Sequence, residues 1–475
     1  MKSMSEIQTE NRALHEPKEN IMGTMPIHKL LPSLALPMMA SMLVQALYNI
    51  IDSIFVARVS EDALTAVSLA FPIQTLMIAM GAGTGVGVNA LLSRSLGEKN
   101  HKQANYIATH AILLGIGNYL IFLIIGLVAI RPFFLSQTTD ETILSFGLNY
   151  LRVVCCFSMG MFAQFTFERL LQSTGKTFLA MITQLIGALT NIILDPILIF
   201  GLFGFPRLEV AGAAWATVIG QIAAGIAAIL FNLKANHEIH LSFEGFRPSL
   251  SIIRQIYAIG IPSIIMQSIG SIMVYGMNLI LMAFTSTAVA VFGVYFKLQS
   301  FIFLPIFGLN NGMVPIIAYN LGARKKERIL ETRSLSIRYA VVIMAVGILI
   351  FQLIPNKLFI LFDASESMLE MGIPALRIIS LHFLLAAYSI VSASVFQALG
   401  NGIYSMITAI CRQLVVLLPA AYLLSLAGNV NYVWLAFPIA ELVAVALNIF
   451  FMKRIKRQIL DPLDEASLDT AAKIS

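Results

Sequence analysis

Apolar residues occupy this chain in long stretches, separated by short segments rich in charge, glycine or proline. A bilayer core about 30 Å thick is crossed by roughly 20 apolar residues of helix, so each stretch is long enough to span it. Twelve such stretches occur, at about residues 30–56, 64–92, 104–130, 145–171, 178–202, 210–233, 252–283, 287–317, 335–355, 370–398, 404–427 and 431–452. The pattern predicts an all-α polytopic membrane protein with twelve transmembrane helices.

Composition agrees with a membrane environment. Of the 475 residues, 58% are hydrophobic and 12% charged, which is too apolar for a soluble chain of this length. The first 27 residues are polar and lack the apolar core of a signal peptide, so we expect a mobile tail there. Cys155, Cys156 and Cys411 fall inside predicted helices, and their spacing indicates neither a disulfide framework nor a metal site.

The cations are distributed unequally between the two sides of the predicted spans. One side, which includes both termini, carries 22 Lys and Arg, and the other carries four, Arg58, Arg131, Arg207 and Lys357. Cytoplasmic loops of membrane proteins are enriched in Lys and Arg, so both termini are predicted to be cytoplasmic. The net charge of +6 is thereby explained without a nucleic-acid partner.

The two halves of the chain repeat each other at an offset of 225 residues. The matching residues are Pro37 with Pro262, Leu96-Gly97 with Leu321-Gly322, Gln172 with Gln397, Gly175 with Gly400, and Met181-Ile182-Thr183 with Met406-Ile407-Thr408. Trp215 then pairs with Trp434 at an offset of 219. Because six helices form one repeat, both copies insert in the same orientation and give a parallel repeat with a central cleft.

This repeat divides the chain into five predicted segments. They are a mobile cytoplasmic N-terminal tail (1–27), an N-terminal six-helix lobe (28–233), a cytoplasmic linker (234–251), a C-terminal six-helix lobe (252–455) and a cytoplasmic C-terminal tail (456–475).

Two carboxylates lie inside predicted membrane helices, where an ionisable side chain costs roughly 2.5 to 3.5 kcal/mol to insert. Asp52 belongs to the first helix and Asp195 to the fifth, each about five residues before the outer end of its helix. Asn191 lies one turn below Asp195, and Thr217 in the sixth helix reaches a similar depth. We therefore expect these four residues to converge.

Such a set of oxygen atoms suits a hard monovalent cation or a shared proton, because crowded carboxylates bind a cation to relieve their repulsion. Pro196 is expected to bend the fifth helix beside the site. The alternative is that both aspartates are solvated from outside or join helices by hydrogen bonds, and that Thr217 is an ordinary helix-contact hydroxyl.

Other polar residues in the predicted helices suggest a substrate pathway. Gln45 and Tyr48 share a helix face with Asp52. The further candidates are Gln184, Gln267, Tyr275, Asn278 and Lys297. Arg412 and Glu441 add a second charged group, for which a structural ion pair and a proton-responsive role both stay open. Two cations, Lys297 and Arg412, to one anion disfavour a second cation site in this half.

Glu168 and Arg169 are interpreted as a local pair near the cytoplasmic end of the fourth helix. The glycine-rich run from Gly81 to Gly87 lies in an apolar helix with no preceding strand, so it indicates close helix packing rather than a phosphate loop. The sequence contains no Ser-His-Asp, HExxH or CxxC arrangement, so we do not expect an enzyme.

Several segments resemble the multidrug and toxic compound extrusion (MATE) family, over about residues 28–457, and are most similar to its bacterial DinF-type, MepA-like pumps. The segments are LALPMM (34–39), NIIDSIFVARVSEDALTAVSLAFPI (49–73), SRSLGEKN (93–100), AYNLGARKK (318–326), LQSTGK (171–176), NIILDPILIFG (191–201) and GAAWAT (212–217).

The resemblance implies a MATE-type fold and antiport, in which amphipathic drugs or organic cations leave the cell in exchange for Na⁺ or H⁺, a route to antibiotic resistance. It implies no cofactor, a bacterial plasma-membrane location and function as a monomer. It also implies that Asp52, Asn191, Asp195 and Thr217 correspond to the family's cation site, holding Na⁺ if Na⁺ is the coupling ion. Other branches carry acidic residues in the seventh and tenth helices, which this sequence lacks.

Other functions remain as alternatives. A lipid-linked precursor flippase or an exporter of an endogenous metabolite can use the same kind of cleft, although flippases usually have more helices and a strongly cationic cavity. A sugar or drug facilitator is expected to carry a basic signature in the loop between helices 2 and 3, which is missing here. A passive channel does not require paired carboxylates.

Overall fold

The computed structural model describes residues 19–362 and 364–463, which form helices joined by short connections. Residues 1–18 of the expected N-terminal tail and 464–475 of the expected C-terminal tail lie outside the described residues. Residues 19–27, which the sequence assigned to the mobile tail, are instead packed against the protein, with Met22 and Ile27 buried.

The N-terminal half contains nine α-helices in the described part of the chain. They are α1 (Ile21–Thr24), α2 (Ile27–Ala57), α3 (Glu61–Gly97), α4 (His101–Val128), α5 (Ile130–Leu135), α6 (Glu141–Cys156), α7 (Met159–Ser173), α8 (Thr177–Phe200) and α9 (Val210–Ala235).

The C-terminal half repeats this order with ten helices in its described part. They are α10 (Leu250–Met282), α11 (Ser286–Gly322), α12 (Lys326–Leu353), α13 (Pro355–Ile360), α14 (Glu366–Ser380), α15 (Phe383–Ala398), α16 (Gly402–Ile410), α17 (Leu418–Ser425), α18 (Val430–Val433) and α19 (Ala436–Ile455). A π-helical turn, Cys411–Leu417, joins α16 to α17.

The predicted spans are confirmed, with a refinement at two of them. Within the described residues, ten helical segments are long and apolar enough to cross a membrane, and two bent pairs raise the number to twelve if each pair is one span. The bent pairs are α6 with α7, at 44°, and α14 with α15, at 51°. They coincide with the fourth and tenth predicted spans.

A side chain contacts a backbone carbonyl at each of the two bends. At the first break the hydroxyl of Ser158 donates to the carbonyl of Cys155, 2.8 Å away. At the second, Nδ1 of His382 lies 2.5 Å from the carbonyl oxygen of Ile379. The two breaks fall within one residue of the same place in the two repeats.

The internal repeat is visible in the backbone as well as in the sequence. Gly175 and Gly400, 225 residues apart, both have φ of 83°. Lys99 and Arg324, at the same spacing, have φ of 55° and 57°. Left-handed backbone is uncommon for residues with a side chain, so its recurrence at matched turns indicates that the duplicated halves kept one loop geometry.

The two halves approach each other most closely at one end of the molecule. A Cβ on Gly97 would overlap the carbonyl oxygen of Tyr319, and a Cβ on Gly322 would overlap the carbonyl oxygen of Arg94. Gly97 and Gly322 are repeat equivalents, as are Arg94 and Tyr319, so the contact is reciprocal in the manner of a two-fold interface. We call this the closed end.

Deeper in the molecule the glycine-rich run of α3 performs the expected packing role. A Cβ on Gly83 would lie 3.0 Å from the carbonyl oxygen of Gly260 in α10, and the reverse contact has the same length. Small residues thus let α3 and α10 cross with their backbones close together.

The linker between the halves follows the N-terminal lobe. The backbone N–H of Ser249 donates to Nε2 of His110 at 2.8 Å, and the N–H of His240 donates to Oδ1 of Asn105 at 2.8 Å. Tyr106, in the same helix α4, donates its hydroxyl to the carbonyl of Arg247.

Candidate cation site

The carboxyl groups of Asp52 and Asp195 face each other in the N-terminal lobe. Asp52 lies near the end of α2, and Asp195 lies in α8 one residue before Pro196. The two side chains are close enough to share a hydrogen bond. Asp195 is completely buried and Asp52 is partly buried. Two ionised carboxylates about 4 Å apart repel by roughly 4 kcal/mol at an effective dielectric of about 20, so this pair requires a proton or a cation.

Asn191 and Thr217 complete the predicted group of four. The Nδ2 of Asn191 donates to Oγ1 of Thr217 at 3.2 Å and approaches Oδ1 of Asp195 at 3.5 Å. Both residues are buried. One turn of α8 separates Asn191 from Asp195, and α9 packs directly against α8, so helical periodicity and the α8–α9 contact together place these side chains.

Three oxygen atoms of this group have no hydrogen-bond partner among the described residues. They are Oδ1 of Asp52, Oδ1 of Asn191 and Oδ2 of Asp195, all of them buried. An orphaned buried acceptor costs about 1 to 3 kcal/mol, so such atoms are normally satisfied. Carboxylate and amide oxygens are also the ligands that a hard cation prefers, and the set therefore fits a Na⁺ ion or a proton between the carboxylates.

The group does not resemble a site for a transition metal. Within residues 19–362 and 364–463, no cluster of three or more His, Cys, Asp or Glu side chains is positioned to hold a metal ion.

Two aromatic hydroxyls border the carboxylates. Tyr48, one turn before Asp52, lies beside Thr217. Tyr150, in α6, lies near Asp52 and accepts a hydrogen bond from Nε2 of Gln74 at 2.9 Å. Tyr150 and Gln74 were not predicted from the sequence. Gln74 was detectable as an amide in an apolar helix, but the approach of Tyr150 depends on how the bent α6–α7 pair packs.

The remaining pathway candidates do not form one cluster. Gln184 donates to the buried carboxylate of Glu168 at 3.0 Å. Gln45 and Asn278 are partly buried, and Gln267 and Tyr275 are exposed on α10. Lys297 is exposed, with its Nζ 6.0 Å from the ring centroid of Phe362.

Glu168 and Arg169 are not the local pair that the sequence suggested. Both side chains are buried, and they use different partners. Glu168 accepts from Gln164, Thr183 and Gln184 at 2.8 to 3.0 Å. Arg169 donates to Gln172 at 2.7 Å and to Asn311 of the other half at 3.1 Å. Neighbouring residues on a helix point about 100° apart, which explains the separation.

Arg412 and Glu441 form an ion pair in the C-terminal lobe, with Nη1 of Arg412 3.1 Å from Oε2 of Glu441. Arg412 belongs to the π-helical turn and Glu441 is nearly fully buried. The other oxygen of Glu441 has no partner among the described side chains.

Comparison with known proteins identifies the family of this chain. The sequence profile of the MatE family matches residues 37–197 and 262–423, so each half matches it once, at starting points 225 residues apart. The chain belongs to the MatE family. It is therefore a multi-pass membrane transporter, and the two profile matches independently support the repeat.

Individual relatives of this MatE chain cover almost its whole length. The multidrug export protein MepA of Staphylococcus haemolyticus is 29% identical over 443 residues, which are 93% of this chain and 96% of the relative. A crystal structure of MATE in complex with MaL6 is 26% identical, with a TM-score of 0.87 over 95% of this chain and 100% of that chain.

A second solved structure is described as the outward-facing conformation of a multidrug resistance MATE family transporter of the MOP superfamily. It is 25% identical, with a TM-score of 0.87, and the match covers 94% of this chain and 99% of that chain. These matches confirm the predicted family and the predicted fold.

Proposed function

We propose that this protein is a secondary antiporter that exports drugs or toxic organic cations in exchange for Na⁺ or H⁺. The contact between the carboxyl groups of Asp52 and Asp195, with their unpartnered oxygens, is the observation that carries the proposal. A group that requires a cation or a proton, inside the lobe of a transporter, is suited to coupling transport to an ion gradient. The names of the relatives support a drug as the exported substrate.

The mechanism we propose is alternating access. The positive-inside distribution of Lys and Arg supports a cytoplasmic position for the closed end, and a molecule closed at that end corresponds to the outward-open state of the proposed cycle. A cation that enters from outside binds at Asp52 and Asp195 and favours drug release outward, whereas drug loading favours the cation-free state. Each ligand must prefer one conformation for this coupling to exist.

The alternative of a lipid-linked precursor flippase is less well supported. A phosphate-bearing substrate calls for cations that face the cleft. Arg412 is paired with Glu441, and Lys297 lies beside Phe362. Export of an endogenous metabolite uses the same coupling and differs only in the substrate.

Efflux from proteoliposomes tests the proposal. A permanently charged aromatic dye is loaded, and a Na⁺ gradient or a pH gradient is imposed separately. We expect one of the gradients to drive dye movement, and Asp195→Asn to reduce the driven rate about tenfold or more, as expected when a coupling free energy is lost.

Asp62→Asn is the matched control, because Asp62 is an exposed carboxylate in the first turn of α3 and should be replaceable without effect. Driven efflux that is undiminished in Asp195→Asn would remove the coupling role of this site. Dependence on neither gradient would remove secondary antiport altogether.

A further inference from the structure

The residues that precede α2 reach across the closed end to the C-terminal lobe. We call residues 19–25 the clasp. The clasp contains the short helix α1 and continues through Pro26 into α2, so it is covalently part of the N-terminal lobe. Met22 is completely buried and Asn20 nearly so, and the clasp is therefore a packed element of the structure.

Lys325 of the C-terminal lobe binds the clasp twice. Its ammonium group lies 2.9 Å from Oε1 of Glu19 and donates to the carbonyl of Gly23, also at 2.9 Å. The hydrogen bond from Lys325 holds the pKa of Glu19 below its usual range, and the positive charges of Lys99 and Arg328 add to this effect. Glu19 is therefore ionised at neutral pH.

Arg328 and Asn320 bind the backbone of the clasp. Arg328 donates from Nη2 to the carbonyls of Met22 and Met25, at 2.9 and 2.8 Å, and from Nε to Oδ1 of Asn320 at 3.0 Å. The Nδ2 of Asn320 donates to the same Met22 carbonyl at 3.0 Å. Charge-assisted hydrogen bonds to backbone carbonyls fix the position of a segment and are stronger than neutral ones.

Asn20 connects the clasp to the rest of the N-terminal lobe. Its Nδ2 donates to the carbonyl of Thr174, at 3.2 Å, and to Oε1 of Glu238 in the linker, at 3.0 Å. Its Oδ1 accepts from the N–H of Met22 and so caps α1. The segment that reaches the other lobe is thus anchored to its own lobe at two further points.

The residues that receive the clasp are specific to one copy of the repeat. Asn320, Lys325 and Arg328 correspond, at the offset of 225, to Ser95, Asn100 and Gln103, which carry no charge. The two cations that bind the clasp, Lys325 and Arg328, therefore have no charged counterparts in the other half.

We propose that the clasp sets the conformational equilibrium of the transporter, because it joins the two lobes at the closed end and must release Lys325 and Arg328 before that end can open. Under the orientation of the proposed function, the clasp stabilises the outward-open state and resists the inward-open one. Glu19, Asn20, Lys325 and Arg328 are then positioning residues for transport, without contact to drug or coupling ion.

A distance measurement across the closed end tests the clasp. Spin labels are attached at Lys102 and Glu327, which are exposed repeat equivalents in opposite lobes, after the three native cysteines have been replaced. In the full-length protein, we expect Glu19→Lys to raise the ratio of molecules with a long interlobe distance to molecules with a short one by roughly threefold to tenfold. Asn20→Ala, which keeps every charge, should shift the distances in the same direction.

Asp461→Lys is the matched control, since Asp461 joins the segment after the C-terminal lobe to Lys326 of the same lobe at 2.9 Å and is not among the residues that bind the clasp. It should leave the distances unchanged. The exchange of charges in Glu19→Lys with Lys325→Glu should restore part of the population with the short distance, because the ion pair returns while the bond from Lys325 to the carbonyl of Gly23 does not. Any one of three results would overturn the proposal. The distances in Glu19→Lys could equal those of the wild type, Asp461→Lys could shift them by the same amount, or the exchange of charges could fail to restore any of the short distance.

This readout needs neither drug nor ion gradient. A protein that transports nothing in proteoliposomes but opens in Glu19→Lys would contradict the proposed antiport while supporting the clasp. Intact antiport with no change in distance would do the reverse.

Discussion

At the scale of residues, the proposed function rests on the carboxyl pair of Asp52 and Asp195. Both acids are withdrawn from bulk water in a lobe made of apolar helices, and their nearest polar neighbours, Asn191 and Thr217, are neutral. Two carboxyl groups in contact resist ionisation of both, because their negative charges repel. A proton or a cation bound between them relieves that repulsion.

Thr217 offers a graded test of that site. In Thr217→Ala the amide of Asn191 loses its 3.2 Å acceptor, while both carboxylates stay. We expect the affinity for the coupling ion to fall about threefold to tenfold, as for the loss of one neutral hydrogen bond, and the maximal driven rate to change little. The concentration dependence of ion-driven efflux measures this, with Thr190→Ala as a control because that hydroxyl binds only the carbonyl of Ile186 in its own helix. An equal loss in both variants would contradict a role for Thr217.

The clasp should not respond to pH near neutrality. The pKa of Glu19 is lowered in the folded protein, so its stabilising contribution is complete above the ordinary Glu pKa of about 4.3 and is lost as pH falls through the lower folded value. The test uses the double variant Asp52→Asn with Asp195→Asn, in which the aspartate pair carries no charge, in the absence of drug and Na⁺. In this variant the interlobe distance at the closed end should stay constant between about pH 6 and pH 8. A distance change in that variant over this range would contradict the assignment.

At the scale of elements, the four site residues could be predicted because helix geometry and membrane depth determine them. Residues four apart share a face, and counting residues from the helix end gives the depth of Asp52 and Asp195. Tyr150 and the donors around Glu168 could not be predicted in this way. Their positions depend on the bend between α6 and α7 and on how the helices pack around it, which hydrophobic periodicity does not encode.

The Arg412–Glu441 pair is an element-scale difference between the lobes. Arg412 occupies the repeat position of Gly187, where α8 and α9 cross closely beside Gly220. The C-terminal lobe instead has an ion pair and a π-helical turn at this crossing. The larger Arg412 side chain thus coincides with a π turn, a local widening of the helix that the N-terminal lobe lacks at its described equivalent position.

Removing one partner of this pair should destabilise the protein more than removing both. Arg412→Leu leaves the buried Glu441 carboxylate uncompensated and should lower the free energy of unfolding by about 3 kcal/mol. The double variant, with Glu441→Leu added, should recover most of that loss. Thermal denaturation in detergent measures the difference, and a double variant no more stable than Arg412→Leu would argue against a mainly structural pair.

At the scale of the whole molecule, two copies of one six-helix unit meet in reciprocal contacts at the closed end. Gly97 and Gly322 permit the backbones of opposite lobes to touch there, and the clasp adds a connection that only one copy provides. The scaffold is thus symmetric, whereas the pair of buried carboxyl groups and the clasp belong to the N-terminal half.

The reciprocal contact predicts that Gly97 and Gly322 are sensitive to substitution by a residue with a side chain. Gly322→Ala places a methyl group against the backbone of Arg94, which cannot move aside as a flexible side chain would, so the closed end should be driven apart. Gly293→Ala is the control, because no described atom lies within 4 Å of its added Cβ. Cross-linking between cysteines at Lys102 and Glu327 should fall severalfold in Gly322→Ala only; unchanged cross-linking would contradict the tight contact.

The proposed antiport requires that ion binding at Asp52 and Asp195 be thermodynamically linked to drug binding. It is tested most directly by measuring the dissociation constant of a fluorescent organic cation at equilibrium while Na⁺ concentration and pH are varied separately. We predict that one of the two ions weakens drug binding in the wild type, by about fivefold or more, and that Asp195→Asn abolishes this dependence. An ion dependence in Asp195→Asn equal to that of the wild type would contradict it.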